Sequence, residues 1–275
     1  MSQNKKKINI SEVSTFRKKY GLEKLNTVCQ NAMCPNINEC FKRKTVTFLI
    51  LGNVCTRKCT FCGIQKYGYK YIDKTEPLRI ARAIKKLGFL YNVITSVTRD
   101  DLKDGGANHF AETVSKIRAI FSSAKIEVLV PDFLGNKESI DIVLNSKPDV
   151  FAHNLETVCD LYDDIRKGAA NYKRSLLILK YAKSLGFRIK TGIMLGLGEN
   201  KYQILKTIND IKNINVDILT IGQYLAPTNN HHPVVKEYTY KEFEAIKYFA
   251  VSVGINHVIS GRYIRSSYLS EQYFK

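Results

Sequence analysis

The chain has 275 residues, enough for one large domain or two small ones around a substantial buried core. Hydrophobic residues at 44% and charged residues at 25% are ordinary for a soluble globular protein. Neither the opening MSQNKKKINI nor any later stretch has the apolar length of a signal peptide or a membrane span, so a cytosolic protein without a membrane partner is expected. Lys and Arg number 43 against 25 Asp and Glu, a net charge of +18 that favours acidic partners of any kind without choosing among them.

Taken in chain order, residues 1–28 are polar and Lys-rich, with a helix expected around Glu12–Tyr20. TVTFLIL (45–51) reads as a buried strand, and EPLRIARAIKKLGF (76–89) as an amphipathic helix ending at Gly88. The pair repeats as YNVITSV (91–97) with HFAETVSKIRAIF (109–121), then KIEVLVPDF (125–133) with KESIDIVLNS (137–146). It continues as DVFAHNLE (149–156) with KRSLLILKYAKSLGF (173–187), and RIKTGIMLG (188–196) with NKYQILKTINDIKNI (200–214). VDILTIGQYL (216–225) and TYKEFEAIKYFAVSVG (239–254) close the series. Regular alternation of this kind predicts parallel strands in an α/β fold. Eight units would complete a closed barrel; about six predict a partial (β/α)6 TIM-type barrel with N- and C-terminal extensions. The expected division is 1–44 as an N-terminal extension, 45–260 as the partial barrel and 261–275 as a C-terminal tail.

Six of the seven cysteines fall between residues 29 and 62. In a cytosolic chain that clustering argues for metal or redox chemistry rather than a disulfide scaffold. Cys55, Cys59 and Cys62 lie on the loop that follows the first strand, where parallel α/β folds gather functional groups. Closely spaced thiolates ligate cubane iron–sulfur clusters, and three of them leave one iron open. The competing reading is a zinc knuckle, but a structural zinc needs a fourth protein ligand and the loop carries no His.

Cys55-x3-Cys59-x2-Cys62, with Phe61 before the last thiol, resembles the signature of the radical S-adenosylmethionine superfamily. That resemblance implies that S-adenosylmethionine chelates the open iron and is cleaved to a 5′-deoxyadenosyl radical. Upstream, TVCQNAMCPNINEC places Cys29, Cys34 and Cys40 at x4 and x5 spacing, a second triplet lacking a fourth thiol. The two triplets together resemble the lipoyl synthase family from about Leu22 to Tyr268. TSVTRDDLKDGGANHF, EVLVPDF, HNLETV, TGIMLGLGE, GQYLAPT with His231 after it, and the terminal RSSY carry the same likeness.

The family resemblance implies two 4Fe–4S clusters, one on Cys55, Cys59 and Cys62 and one on Cys29, Cys34, Cys40 and a serine of RSSY, Ser267 by the alignment with Ser266 as second candidate. A hard alkoxide should leave iron more readily than a soft thiolate, which suits a cluster consumed as a sulfur source. Arg265 is placed beside that serine to favour its ionised form. The catalytic set is then Cys55, Cys59, Cys62, Ser267 and Arg265, with Thr95, Asn154, Glu156 and Arg166 as contacts to the cofactor. The implied reaction is sulfur insertion at C6 and C8 of an octanoyl-lysine. The implied partners are octanoylated lipoyl carrier domains (2-oxoacid dehydrogenase E2 subunits, the glycine cleavage H protein) and a reducing electron donor, with no nucleic acid. A tRNA methylthiotransferase-like enzyme is the alternative, and a zinc- or cluster-stabilised binding protein the non-enzymatic one.

The loops offer less on their own. MLGLGE (194–199) resembles a phosphate loop only loosely, and its glycines are expected to serve close backbone packing. His231 and His232 are not expected to bind metal, and Cys159 is expected to be a buried thiol. The chain departs from the family in having no Trp, with Phe41 at a position that is usually Trp.

Overall fold

The structure, a computed structural model, describes residues 8–268 except 33, 44, 69 and 70. Residues 1–7 of the expected N-terminal extension and 269–275 of the expected tail lie outside the described residues. The chain divides into two compact units: residues up to Thr56 together with Gly63–Asp149, and Arg57–Cys62 together with Val150 onward.

In the first unit three short helices come first, α1 (Ile10–Tyr20), α2 (Val28–Asn31) and α3 (Ile37–Lys42). Asn9 caps α1 by accepting from the Glu12 amide, and Gly21 closes it in the left-handed conformation. Then β1 (Thr47–Ile50), β2 (Tyr91–Ser96) and β3 (Lys125–Leu129) pair in parallel, in chain order. Their connections are α4 (Glu76–Leu87) and α5 (Ala107–Ile120), and α6 (Lys137–Asn145) follows β3. β1 is buried at every position, as a strand covered on both faces must be. Phe48, Ile80, Ile84, Ile94, Phe110 and Val114 are all at most 1% exposed and form the centre of this core.

In the second unit β4 (Val150–Ala152), β5 (Ile189–Leu195), β6 (Ile218–Gln223) and β7 (His257–Gly261) are again parallel neighbours in chain order. They are joined through α7 (Tyr162–Arg166) and α8 (Tyr172–Ser184), α9 (Lys201–Asn213) and α10 (Tyr240–Ser252). Capping boxes start α9 at Asn200 and α10 at Thr239.

The expected α/β fold and all six of its strand–helix units are present, in the expected order. Two details differ from the expectation. A seventh strand, β7, follows the last helix; its HVISG has only one fully buried position and no apolar run to announce it. β4 stops at Ala152 rather than running to Glu156, and Glu156 itself adopts a left-handed backbone (φ 70) outside any strand. No helix among the described residues is long and apolar enough to cross a membrane.

Candidate active site

The upstream triplet lies wholly in the first unit. Cys29 sits on α2, Cys40 on α3, and Cys34 between them, with the Cys34 amide donating to the Cys29 carbonyl at 3.1 Å. Phe41 stacks on Phe16 at 4.4 Å between ring centres, which pins α3 against α1. Burial pushes the Cys29 thiol up to about 12, and the neighbouring Cys34 adds to the shift. Cys40 is raised too, again by burial first and then by Cys29 and Cys34. Burial and neighbouring thiols both oppose ionisation of Cys29 and Cys40, so bound metal would favour the thiolate form of each. That fits an iron–sulfur cluster. Zn–S bonds of about 2.3 Å gather thiolates round one point, whereas a cubane spreads them over several irons.

The downstream triplet is consecutive in the chain. Cys55 belongs to the first unit, where its amide donates to the Gln65 carbonyl at 2.8 Å. The next residue, Thr56, is bound through its amide and hydroxyl to the Thr98 carbonyl at 3.0 and 2.9 Å. Cys59 and Cys62 belong to the second unit. The Cys59 thiol points at the Arg166 carbonyl, 3.5 Å away, and the Thr60 amide donates to the Ile165 carbonyl at 2.9 Å. Phe61 packs on an apolar group of Ile165, Leu197, Tyr224 and Ala226. Tyr224 is raised by burial and then by the nearby Cys62, and its hydroxyl donates to the His232 carbonyl at 2.7 Å. His231 sets its ring against the Cys62 carbonyl at 3.2 Å and the Thr228 hydroxyl at 2.9 Å, and the His232 ring reaches the Leu197 carbonyl at 2.8 Å. His231 therefore braces the cysteine loop through its ring and His232 through its amide, which donates to the Thr60 carbonyl at 3.0 Å, and these contacts account for both.

Three of the four expected cofactor contacts meet in the second unit, beside Cys59. The Asn154 amide donates to Glu156 at 3.0 Å, and Arg166 donates to the Asn154 carbonyl and the Tyr162 hydroxyl, both at 2.8 Å. Burial raises the Glu156 carboxyl, offset in part by Arg166, the Asn154 bond and Arg265. The other end of the Asn154 amide, Oδ1, is buried with no hydrogen-bond partner. An orphaned acceptor at that place fits an amino or hydroxyl group of a bound nucleoside-like cofactor. Regular strand alternation through residue 156 would put Asn154 and Glu156 on one face. The structure replaces it with the turn at Glu156, whose amide donates to the Gly192 carbonyl at 3.0 Å.

The fourth expected contact, Thr95, is in the first unit and gives its hydroxyl to the Leu129 carbonyl at 2.7 Å. Its neighbour Ser96, at the carboxyl end of β2, has a buried hydroxyl without a partner. A lone Ser at the end of an apolar run carries no signal in the sequence. In TSVTRDDLKDGGANHF each Asp has a structural use: Asp100 and Asp101 bond Thr56 and Arg99, and Asp104 accepts from the Gly106 and Asn108 amides at 2.9 Å.

At the other end of the chain, Arg265 donates to the Ile264 carbonyl at 2.6 Å, and the Tyr268 amide to the Arg265 carbonyl at 2.9 Å. The Ser266 hydroxyl lies over Gly192 of β5. In the MLGLGE loop Gly196 packs against the Gln223 amide and the Lys236 carbonyl, as expected for close backbone approach. Cys159 is half-buried at a helical turn rather than buried, and its thiol is raised by burial and then by Asp160.

The radical SAM superfamily model matches residues 49–211, more than half the chain. The protein therefore belongs to that class of enzymes. Solved structures agree at the level of fold: SuiB of Streptococcus suis bound to S-adenosylmethionine has a TM-score of 0.60 at 15% identity over 82% of this chain and 53% of that one. The hydrogenase maturase HydG also reaches 0.60, at 13% identity over 91% and 68%. Among curated proteins, the lipoyl synthase of Caldicellulosiruptor saccharolyticus is 50% identical over 90% of this chain and 87% of its own. That of Aquifex aeolicus is 46% identical over 95% of both. The chain belongs to the lipoyl synthase family. It is a radical S-adenosylmethionine enzyme that uses 4Fe–4S clusters, one of them auxiliary, to insert two sulfur atoms at C6 and C8 of a protein-bound octanoyl chain.

Proposed function

We propose that Cys55, Cys59 and Cys62 hold the cluster that S-adenosylmethionine completes, and that Cys29, Cys34 and Cys40 with Ser267 (Ser266 as second candidate) hold the cluster that is consumed. When bound, the clusters and S-adenosylmethionine supply an electron, a hydrogen-abstracting radical and sulfur. Unactivated C–H bonds are beyond acid–base catalysis, so the work of the protein is to orient, to hold charge and to exclude water.

Each residue has a part in that work. Arg166, through its carbonyl, and His231 fix the backbone and thiol of Cys59 and Cys62. The open Oδ1 of Asn154 accepts from the cofactor, and the Glu156 carboxyl with its raised proton affinity meets a neighbouring polar group of it. Arg166 and Arg265 supply positive charge against the cofactor's carboxylate and the serine oxygen. Thr95 lies at the carboxyl end of β2, where such loops line a cofactor cavity. The carriers served are the E2 subunits of 2-oxoacid dehydrogenases and the glycine cleavage H protein, with a cytoplasmic reductant as electron donor.

The observation that carries the reading is the gathering of three thiols in the first unit, Cys29 on α2, Cys40 on α3 and Cys34 between them with its amide on the Cys29 carbonyl at 3.1 Å. The test is a pair of variants assayed under anaerobic conditions with an octanoylated carrier peptide and mass spectrometry. Cys59→Ala should abolish cleavage of S-adenosylmethionine. Cys34→Ala should keep cleavage and lose lipoyl product, with the iron content falling from about eight to about four per chain. Equal loss of cleavage in both would overturn this division of labour.

A further inference from the structure

Gly192 on β5 and Gly222 on β6 lie in regular strands, and neither has the positive φ that would demand glycine for its backbone. What demands glycine at both is space. A Cβ on Gly222 would overlap the Ile264 carbonyl and sit 3.4 Å from the Arg265 guanidinium. One on Gly192 would sit 2.6 Å from the Thr220 hydroxyl and 3.1 Å from both Asn154 Oδ1 and the Ser266 hydroxyl. Backbone at Ile264 cannot swing aside as a side-chain tip can, so the segment itself would have to lift. That segment is otherwise stiff: the Ile264 amide donates to Gly261, and Arg265 folds back on the Ile264 carbonyl.

We propose that Gly192 and Gly222 are positioning residues, a backbone-width seat on β5 and β6 that fixes the height of the Ile264–Ser267 segment and so the reach of its serine hydroxyl. The proposal rests on the reading above, in which a serine of this segment is the oxygen ligand of the auxiliary cluster. The space over both glycines is taken in part by that segment. They act through the segment that they admit.

The seat makes an unusual prediction for a strand. Glycine to alanine at an ordinary strand φ commonly stabilises, because it restricts the unfolded chain. Here Gly222→Ala should instead unseat the C-terminus. In the reconstituted full chain, cleavage of S-adenosylmethionine should stay within about twofold of the parent, while lipoyl product falls about a hundredfold from the misplaced ligand. The Mössbauer signature of the oxygen-ligated iron should disappear, and trypsin should cut after Arg262 and Arg265 sooner than in the parent. Gly192→Ala approaches the same segment from the neighbouring strand and should repeat the trypsin and iron signatures if Gly222→Ala fails to fold; its methyl also meets Asn154 Oδ1, so cleavage of S-adenosylmethionine is not its control. Parent-like proteolysis, product and iron signature in a folded Gly222→Ala variant would overturn the seat. Failure of the underlying reading looks different: Ser266→Ala and Ser267→Ala would then keep product and iron signature, yet Gly222→Ala would still expose the segment to trypsin.

Discussion

The backbone leaves β1 through a strained residue, and one carboxylate holds it there. Leu51 has φ 66 and is 1% exposed, four residues before Cys55. Its amide donates to Glu76 Oε2 at 2.9 Å, and the His109 ring nitrogen Nε2 lies 2.9 Å from the same oxygen. Arg99 reaches the Leu51 carbonyl from the other side at 3.5 Å, and the glycine at 106 leaves room for the Leu51 side chain. Glu76 and His109 are 4% and 8% exposed, so water cannot replace either bond. Glu76→Ala orphans two buried groups at about 1–3 kcal/mol each, and relaxation of the left-handed residue returns about 1 kcal/mol. The net loss should be about 1–5 kcal/mol, or roughly 2–20 °C in Tm for a chain of this size. Glu76→Gln keeps one acceptor and should lose about half as much. Urea denaturation of the apo protein measures the loss, and electron paramagnetic resonance of the reduced cluster proposed for Cys55, Cys59 and Cys62 should show a broadened or diminished signal. The decisive comparison is a double-mutant cycle of Glu76→Ala with His109→Ala. A coupling below about 0.5 kcal/mol would refute the idea that the two act on Leu51 as one latch.

Three further outcomes follow from charge. Because burial and Cys34 hold the Cys29 thiol up to about 12, iodoacetamide should label it about a thousandfold more slowly at pH 8 than an ordinary thiol. The stability it contributes is complete below the ordinary thiol pKa of about 8.5 and is lost as pH rises through about 12, so the apo chain should weaken over that alkaline window and Cys29→Ala should weaken less; equal alkaline loss in both would remove Cys29 as the cause. If the net +18 steers the enzyme to acidic carrier domains, raising salt from about 0.05 to 0.5 M should slow turnover on the intact carrier several-fold and leave a short octanoyl peptide nearly unaffected. Parallel slowing on both substrates would leave the charge without that role.

Legibility in the sequence followed the distance over which each feature is determined. The six strand–helix units are set by periodicity within a dozen residues, and the cysteine triplets by spacing within fourteen, so both could be read directly. β7 could not: HVISG packs as the last neighbour of β6, and that partner rather than its own pattern makes it a strand. The contacts of Asn154 and Arg166 were legible as candidates, but their meeting depends on the left-handed turn at Glu156, which no local rule assigns to a glutamate. Glu76 read only as an acidic residue at a helix start, a role that the macrodipole would suffice to explain. The strand glycines are the sharpest case. Within TGIMLG and IGQYL they look like weaknesses in otherwise good strands, and only the return of the chain some forty residues after Gly222 gives the missing side chain a purpose. A residue defined by what it lacks acquires a role only through what occupies the space, so such positions become visible in three dimensions and at the same moment become testable by a single methyl group.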